Sequence, residues 1–303
     1  MTKKRITVFG ATGAQDGGLV RAIHQDSLGK FAVRTVTRHA SSAQVQEWAH
    51  CGAEVVEADL DDAASIRSVM QGAYGAYCVT FFWKHFSPEK ELAEARTLAE
   101  PTKSEGVRHV IWSTLEDSRQ WVPLFNNRMS TLMCKYKVSH LDAKGEGNYF
   151  FTDLRVTTTI FLLTSFYWEN FIHFGMSPKP GLDGQLTITF PMGDRKLSGM
   201  AAEDIGWCAL DIFKQRTALI GNTVGITGEQ LTSQEMVVGL SKALGFPVAD
   251  NLGNMFQAQR NLADDSLKVC SMEFSRQLNP DLQSFDTWLA IHARKIPLEM
   301  QAA

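Results

Sequence analysis

Short apolar runs alternate with amphipathic stretches through the first half of the chain. Ile6-Thr7-Val8-Phe9 is a β-branched, apolar run that stops at Gly10. Over residues 17–25, Leu19, Val20 and Ile23 fall on one helical face. Residues 31–37 read as a second strand. Residues 42–50 read as a helix, closed by Gly52 in the manner of a C-cap glycine. Strand 54–57, helix 64–70 and strand 76–80 continue the alternation. Ser87 and Pro88 open the next helix as an N-cap serine followed by proline at the first helical position. Pro101 is expected to kink or break that helix late, because proline removes a backbone donor and crowds the preceding turn. Residues 107–113 form a fifth strand. The alternation predicts an α/β fold, a doubly wound parallel sheet with helices on both faces.

The second half is less regular. Residues 118–139 are polar and mixed, and read as a loop or short helices. Strand-like runs follow at 156–163 and 186–190, and helical ones at 203–213 and 233–244, the last terminated by Gly245-Phe246-Pro247. No linker stands out. The expected organisation is a dinucleotide-binding domain over residues 1–155. Residues 156–303 then partly complete the same sheet and partly form a smaller, substrate-like α/β subdomain.

Charge and cysteines narrow the setting. Thirty Lys and Arg against 33 Asp and Glu leave a net charge of −3, so no nucleic-acid or anionic-membrane partner is expected. Residues 6–9 are too short a run for a secretory leader, and the apolar stretch 160–168 is interrupted by Thr164 and Ser165, too short to span a bilayer. Cys51, Cys78, Cys134, Cys208 and Cys270 are scattered, which suits reduced thiols in a cytoplasmic protein, or a nuclear one if the source is eukaryotic. The histidines show no metal-ligand spacing, so no metal is expected.

The most informative segment is Gly10-Ala11-Thr12-Gly13-Ala14-Gln15-Asp16-Gly17-Gly18, set between a predicted strand and a predicted helix. That context makes it a phosphate-binding turn of the NAD(P)-binding Rossmann type. Gly10 allows the tight turn, Gly13 lets the backbone approach a pyrophosphate, and the helix N-terminus offers free N–H groups. Asp16 stands where a third glycine would fall. It is expected to face solvent, where it complements the helix dipole, since an inward carboxylate would repel the pyrophosphate. The second strand ends Val36-Thr37-Arg38-His39 with no acid, so Arg38 points to the 2′-phosphate of NADP(H), with Thr37 adding a hydroxyl. Asp59 is a candidate for the adenine amine, with a helix N-cap role for Asp61 or Asp62 as the competing use of this acidic run. Thr80, ending the fourth strand, is taken as a further cofactor contact.

A Tyr-x-x-x-Lys pair is absent: none of the five tyrosines has a lysine four residues on. His140 and Lys144 keep that spacing, which puts both on one helical face. Lys144 can hold a nicotinamide ribose, and His140 is expected to titrate near neutrality, with an ordinary helix-surface histidine as the competing reading. Ser113 ends the fifth strand as an active-site serine would.

The chain resembles the NmrA-like family of atypical short-chain dehydrogenases. The matching stretches are 8–15, 36–38, 52–56, 140–146, Glu169-Asn170, 202–206, 254–256, 278–280 and 285–289. The resemblance implies NADP(H) binding through Gly10, Thr12, Gly13, Gln15, Arg38, Lys144 and the region from Tyr167 to Asn170. It further implies little or no dehydrogenase activity and a role as a redox sensor that changes protein partners, often in gene regulation. A regulatory protein partner or a homodimer are the assemblies expected. The alternative is an NADPH-dependent reductase of a carbonyl or enone. In that case Lys144, helped by His140, delivers the proton, and Phe81, Phe82, Trp83, Phe166, Tyr167 and Trp168 line the pocket.

Overall fold

The computed structural model describes residues 2–10, 13–156, 159–181, 185–188, 190, 192, 194–215, 218–250 and 269–298. The chain divides into two compact units, one of residues 1–164 and 205–224, the other of 165–204 and 225–303.

The first unit runs β1 (Lys4–Phe9), α1 (Ala14–Gln25), β2 (Phe31–Thr37), α2 (Ala43–His50), β3 (Glu54–Glu57), α3 (Ala63–Met70), β4 (Gly75–Cys78), α4 (Pro88–Ser104), β5 (His109–Thr114), α5 (Ser139–Asp153) and β6 (Thr159–Thr164). These six strands pair in parallel in the order β6-β5-β4-β1-β2-β3, and Thr223–Ile226 adds a seventh strand beside β6. Strand order reverses between β1 and β4. In such sheets ligands bind at the carboxyl ends of the strands on either side of that reversal. β4 and β5 are buried at every position, as central parallel strands must be.

Local chemistry accounts for the helix bounds. Asp62 caps α3 by accepting the N–H groups of Ala64 and Ser65. Ser87 caps α4 by accepting that of Lys90, with Pro88 next in line. The expected break at Pro101 does not occur: α4 continues to Ser104 with Pro101 buried inside it. Proline there removes only the bond to the carbonyl four residues back, within a turn of the helix end, so the loss is small beside the packing of Leu98, Ala99 and Thr102. The polar stretch before α5 is a fastened loop. Buried Lys137 donates from Nζ to the carbonyls of Asn126 (2.8 Å) and Met129 (2.8 Å) and to Thr131 Oγ1 (2.9 Å). Buried Asp142 accepts the N–H groups of Ser118, Lys137 and Val138.

The second unit holds two small three-stranded sheets around an aromatic core that includes Trp168, Phe171, Phe285 and Trp288. Glu169 accepts from Trp288 Nε1 at 3.0 Å and from the Ala202 N–H at 2.9 Å, while Asp204 accepts the Gln283 N–H at 2.8 Å. Glu169 and Asp204 thus tie this unit together. Trp168 is 1% exposed and is a core residue, not a pocket wall. Residues 254–256 lie outside the described residues.

Candidate functional site

The first-unit candidates gather at the carboxyl ends of β1, β2, β4 and β5. Gly10 has φ +72°, a conformation that only glycine adopts cheaply. Gly13 is the N-cap of α1, in an extended conformation with no side chain to cap the helix, and the Asp16 carboxyl takes a backbone hydrogen bond at its own amide in the first turn. Ala11 and Thr12 lie outside the described residues. Ala14 begins the helix. Gln15 Oε1 accepts from Tyr77 OH (2.7 Å) and from Ser113 Oγ (3.0 Å), which pins α1 to β4 and β5 and commits the Ser113 hydroxyl.

Asp16 does not face solvent. It is 4% exposed, and its Oδ2 lies 2.8 Å from where a Cβ on Gly10 would sit and 2.7 Å from the same point on Gly13. Its Oδ1 is buried without a hydrogen-bond partner. Burial holds the carboxyl well above the usual carboxylate range, with Lys144 pulling the other way. The reason is helical register: positions 16, 19, 20 and 23 form one stripe, and Leu19, Val20 and Ile23 are all buried.

Arg38, just past β2, is exposed and has no hydrogen-bond or ion-pair partner among the described residues. Thr37 Oγ1 accepts the His39 N–H at 3.1 Å, shaping the turn that carries it. Asp59 Oδ1 accepts the Asp61 N–H at 3.1 Å, and the helix cap of this acidic run is Asp62.

Lys144 on α5 reaches past β4. Its Nζ donates to Thr80 Oγ1 (2.7 Å) and Thr80 O (2.9 Å) and pairs with Glu91 Oε1 at 3.0 Å. The Thr80 hydroxyl donates to the same Glu91 oxygen. Glu91 escaped the sequence reading, as did its neighbours Glu94 and His85. The signal was available: Glu91 and Glu94 fall on the stripe of α4 that also holds Ala95, Leu98 and Thr102, all buried. Acids on an apolar stripe need partners.

His140 does not titrate near neutrality. Its ring centre lies 4.8 Å from that of Trp83 and 5.7 Å from that of Phe82. Burial first, and Lys144 second, lower its pKa to about 4, so it is a neutral imidazole at pH 7. Phe82 is buried, while Phe81 and Trp83 are exposed. Tyr167 and Asn170 belong to the second unit, Tyr167 paired in register with Met200 and Asn170 opening the short helix Asn170–His173.

A seven-stranded sheet with a glycine turn after β1, at the strand-order reversal, defines a dinucleotide-binding Rossmann protein. The chain belongs to the NmrA-like family, whose model matches residues 2–299. It is 28% identical over 246 residues to an NmrA-like family domain-containing protein of Dictyostelium discoideum, covering 79% of this chain and 77% of that one. In fold it resembles NmrA, a negative transcriptional regulator solved in complex with NADP (TM-score 0.73, 19% identity, 98% of this chain and 96% of that one). It also resembles the triphenylmethane reductase of Citrobacter sp. complexed with NADP(H) (TM-score 0.67, 14% identity, 95% and 99%).

The residues of this turn fit such a dinucleotide on one condition. Gly10, Gly13 and the uncapped start of α1 suit a pyrophosphate, and the unpaired Arg38 suits a 2′-phosphate. Asp16 Oδ2, the oxygen beside the turn, suits a phosphate oxygen when the carboxyl is neutral, because a protonated acid donates where a carboxylate repels. Among the described residues no helix is long and apolar enough to cross a membrane.

Proposed function

We propose that this protein binds NADP(H) as a ligand and passes its occupancy or redox state to a protein partner in the cytoplasm, with little or no turnover. Gly10, Gly13 and α1 take the pyrophosphate, and Arg38 takes the 2′-phosphate. The observation that carries the reading is the state of the catalytic positions. No tyrosine precedes Lys144 by four residues, its ammonium is bonded to Thr80 and Glu91, and the histidine at that spacing is neutral and packed on Trp83. A proton donor with those ties is slow, whereas binding needs none of it. The NADP-bound regulator among the structural neighbours supports a ligand role.

The competing reading, an NADPH-dependent reductase of a carbonyl or enone, draws on Lys144 and on the reductase neighbour. Calorimetry with NADPH, NADP⁺, NADH and NAD⁺, followed by NADPH oxidation assays over a panel of carbonyls, enones and dyes, separates the two. Binding restricted to the phosphorylated pair with no oxidation above background supports the sensor. Steady-state oxidation of any one substrate class at ordinary enzymatic rates replaces it with the reductase.

A further inference from the structure

Beside Lys144 lies a cluster that the dinucleotide reading leaves unused. Glu91 and Glu94 sit one turn apart on α4, and His85 precedes the helix. Glu91 is 0% exposed and Glu94 is 4% exposed. Glu91 Oε1 is occupied by Thr80 and Lys144. Its Oε2 is buried with no hydrogen-bond partner and lies 3.5 Å from His85 Nε2, which is also buried and without one. Glu94 Oε2 is 3.8 Å from the same nitrogen. One ligand atom from each of the three lies within 4.8 Å of the other two.

Charge and spacing both point to a cation. Two buried carboxylates lie beside the half-buried Lys144, whose ammonium holds the far oxygen of Glu91. Lys90, on the same helix, pairs with Asp61, and both it and Lys84 also act electrostatically on Glu94. Glu91 Oε2 and His85 Nε2 therefore face each other buried and without a hydrogen bond, an arrangement that is costly unless something fills it. Zinc bonds of 2.0–2.2 Å to nitrogen and oxygen in tetrahedral geometry separate ligand atoms by roughly 3.4 Å. The 3.5 and 3.8 Å spacings are close to that.

We propose that His85, Glu91 and Glu94 bind a divalent transition-metal ion of the Zn²⁺ type, with a fourth position left to water. Magnesium and calcium want six or more oxygens, and calcium has no use for an imidazole. Thr80 and Lys144 hold the outer oxygen of Glu91, as outer-shell partners of a metal site do. His85 Nδ1 now accepts the Ser87 N–H at 3.1 Å, so its ring proton is on Nε2. Coordination through Nε2 moves that proton to Nδ1 and releases the Ser87 amide.

The test uses the full chain, stripped with a chelator and free of nucleotide, titrated with Zn²⁺ by calorimetry and with Co²⁺ by absorption. The expected result is one equivalent bound, a tetrahedral Co²⁺ spectrum without a thiolate band, and a shift of the Ser87 amide in the ¹H–¹⁵N spectrum. His85→Ala and Glu94→Gln, checked for unchanged melting, should each weaken binding by at least about tenfold, since even outer-shell losses cost 10–100-fold. Binding that survives both substitutions, a thiolate band from the free cysteines, or no binding of either ion overturns the site. None of these readouts depends on NADP(H), so the metal site and the sensor reading fail separately.

Discussion

Replacing Asp16 probes the dinucleotide turn directly. Its Oδ2 lies within 3 Å of the points where side chains on Gly10 or Gly13 would begin, so a phosphate seated on that turn comes within about 4 Å of the carboxyl. Two unit charges at that distance repel by about 4 kcal/mol at an effective dielectric constant of 20, or roughly a thousandfold in affinity. A protonated Asp16 removes the repulsion, and burial already favours that form in the free protein. Binding an anion favours it further, so the protein takes up a proton on binding, and affinity falls as pH rises through the free-state pKa of Asp16. The assay is calorimetry of NADP⁺ binding to wild type, Asp16→Asn and Asp16→Gly at several pH values from 6 to 9. Ionisation of the 2′-phosphate, near pH ~6, is common to all three and cancels in the ratio. The wild-type to Asp16→Asn ratio of dissociation constants should be near one wherever Asp16 is protonated and should grow only above its free-state pKa, to no more than about a thousand. Asp16→Gly should lose the same pH dependence. A ratio well above one that does not change with pH refutes a protonated carboxyl at the turn.

Arg38→Ala should reduce the preference for NADPH over NADH by about 10- to 100-fold, the value of one or two hydrogen bonds to a charged group, read as the ratio of the two dissociation constants. Gly206→Ala should lower the melting temperature by several degrees, because a Cβ there runs into the backbone of Gly18 and Leu19 and overpacking costs about 1–3 kcal/mol. Asp204 is raised to about 6 by burial, against hydrogen bonds from Gln283. An acid whose folded pKa exceeds its unfolded one binds more protons when folded, so stability should decline from pH 4 to pH 6 and then level off, by about 3 kcal/mol for a gap of this size. Melting curves of wild type and Asp204→Asn over that window measure it, and the decline should be absent from the variant.

The alternation of strands and helices in the first half was legible because it rests on local periodicity and punctuation. Helix 233–244 was read to the residue because both ends carry their own chemistry. Thr232 and Glu235 form a reciprocal capping box, and Gly245 closes the helix at φ +80°. The glycine turn was legible for the same reason, being a backbone device set by a few adjacent residues. Three features needed the tertiary structure. Pro101 stays within its helix because neighbours outweigh one lost bond. Asp16 turns inward because the stripe it shares with Leu19, Val20 and Ile23 must be buried, and a rule for exposed helix ends takes no account of that. Lys144, Thr80 and Glu91 meet only when β4, α4 and α5 are packed side by side, and the contacts of Lys144 with the other two span 53 and 64 positions along the chain. Local signals specify elements, because their energies lie within a turn or two of backbone. Burial and ionisation depend on which distant elements are stacked together, and that is where the chemistry of this site was decided.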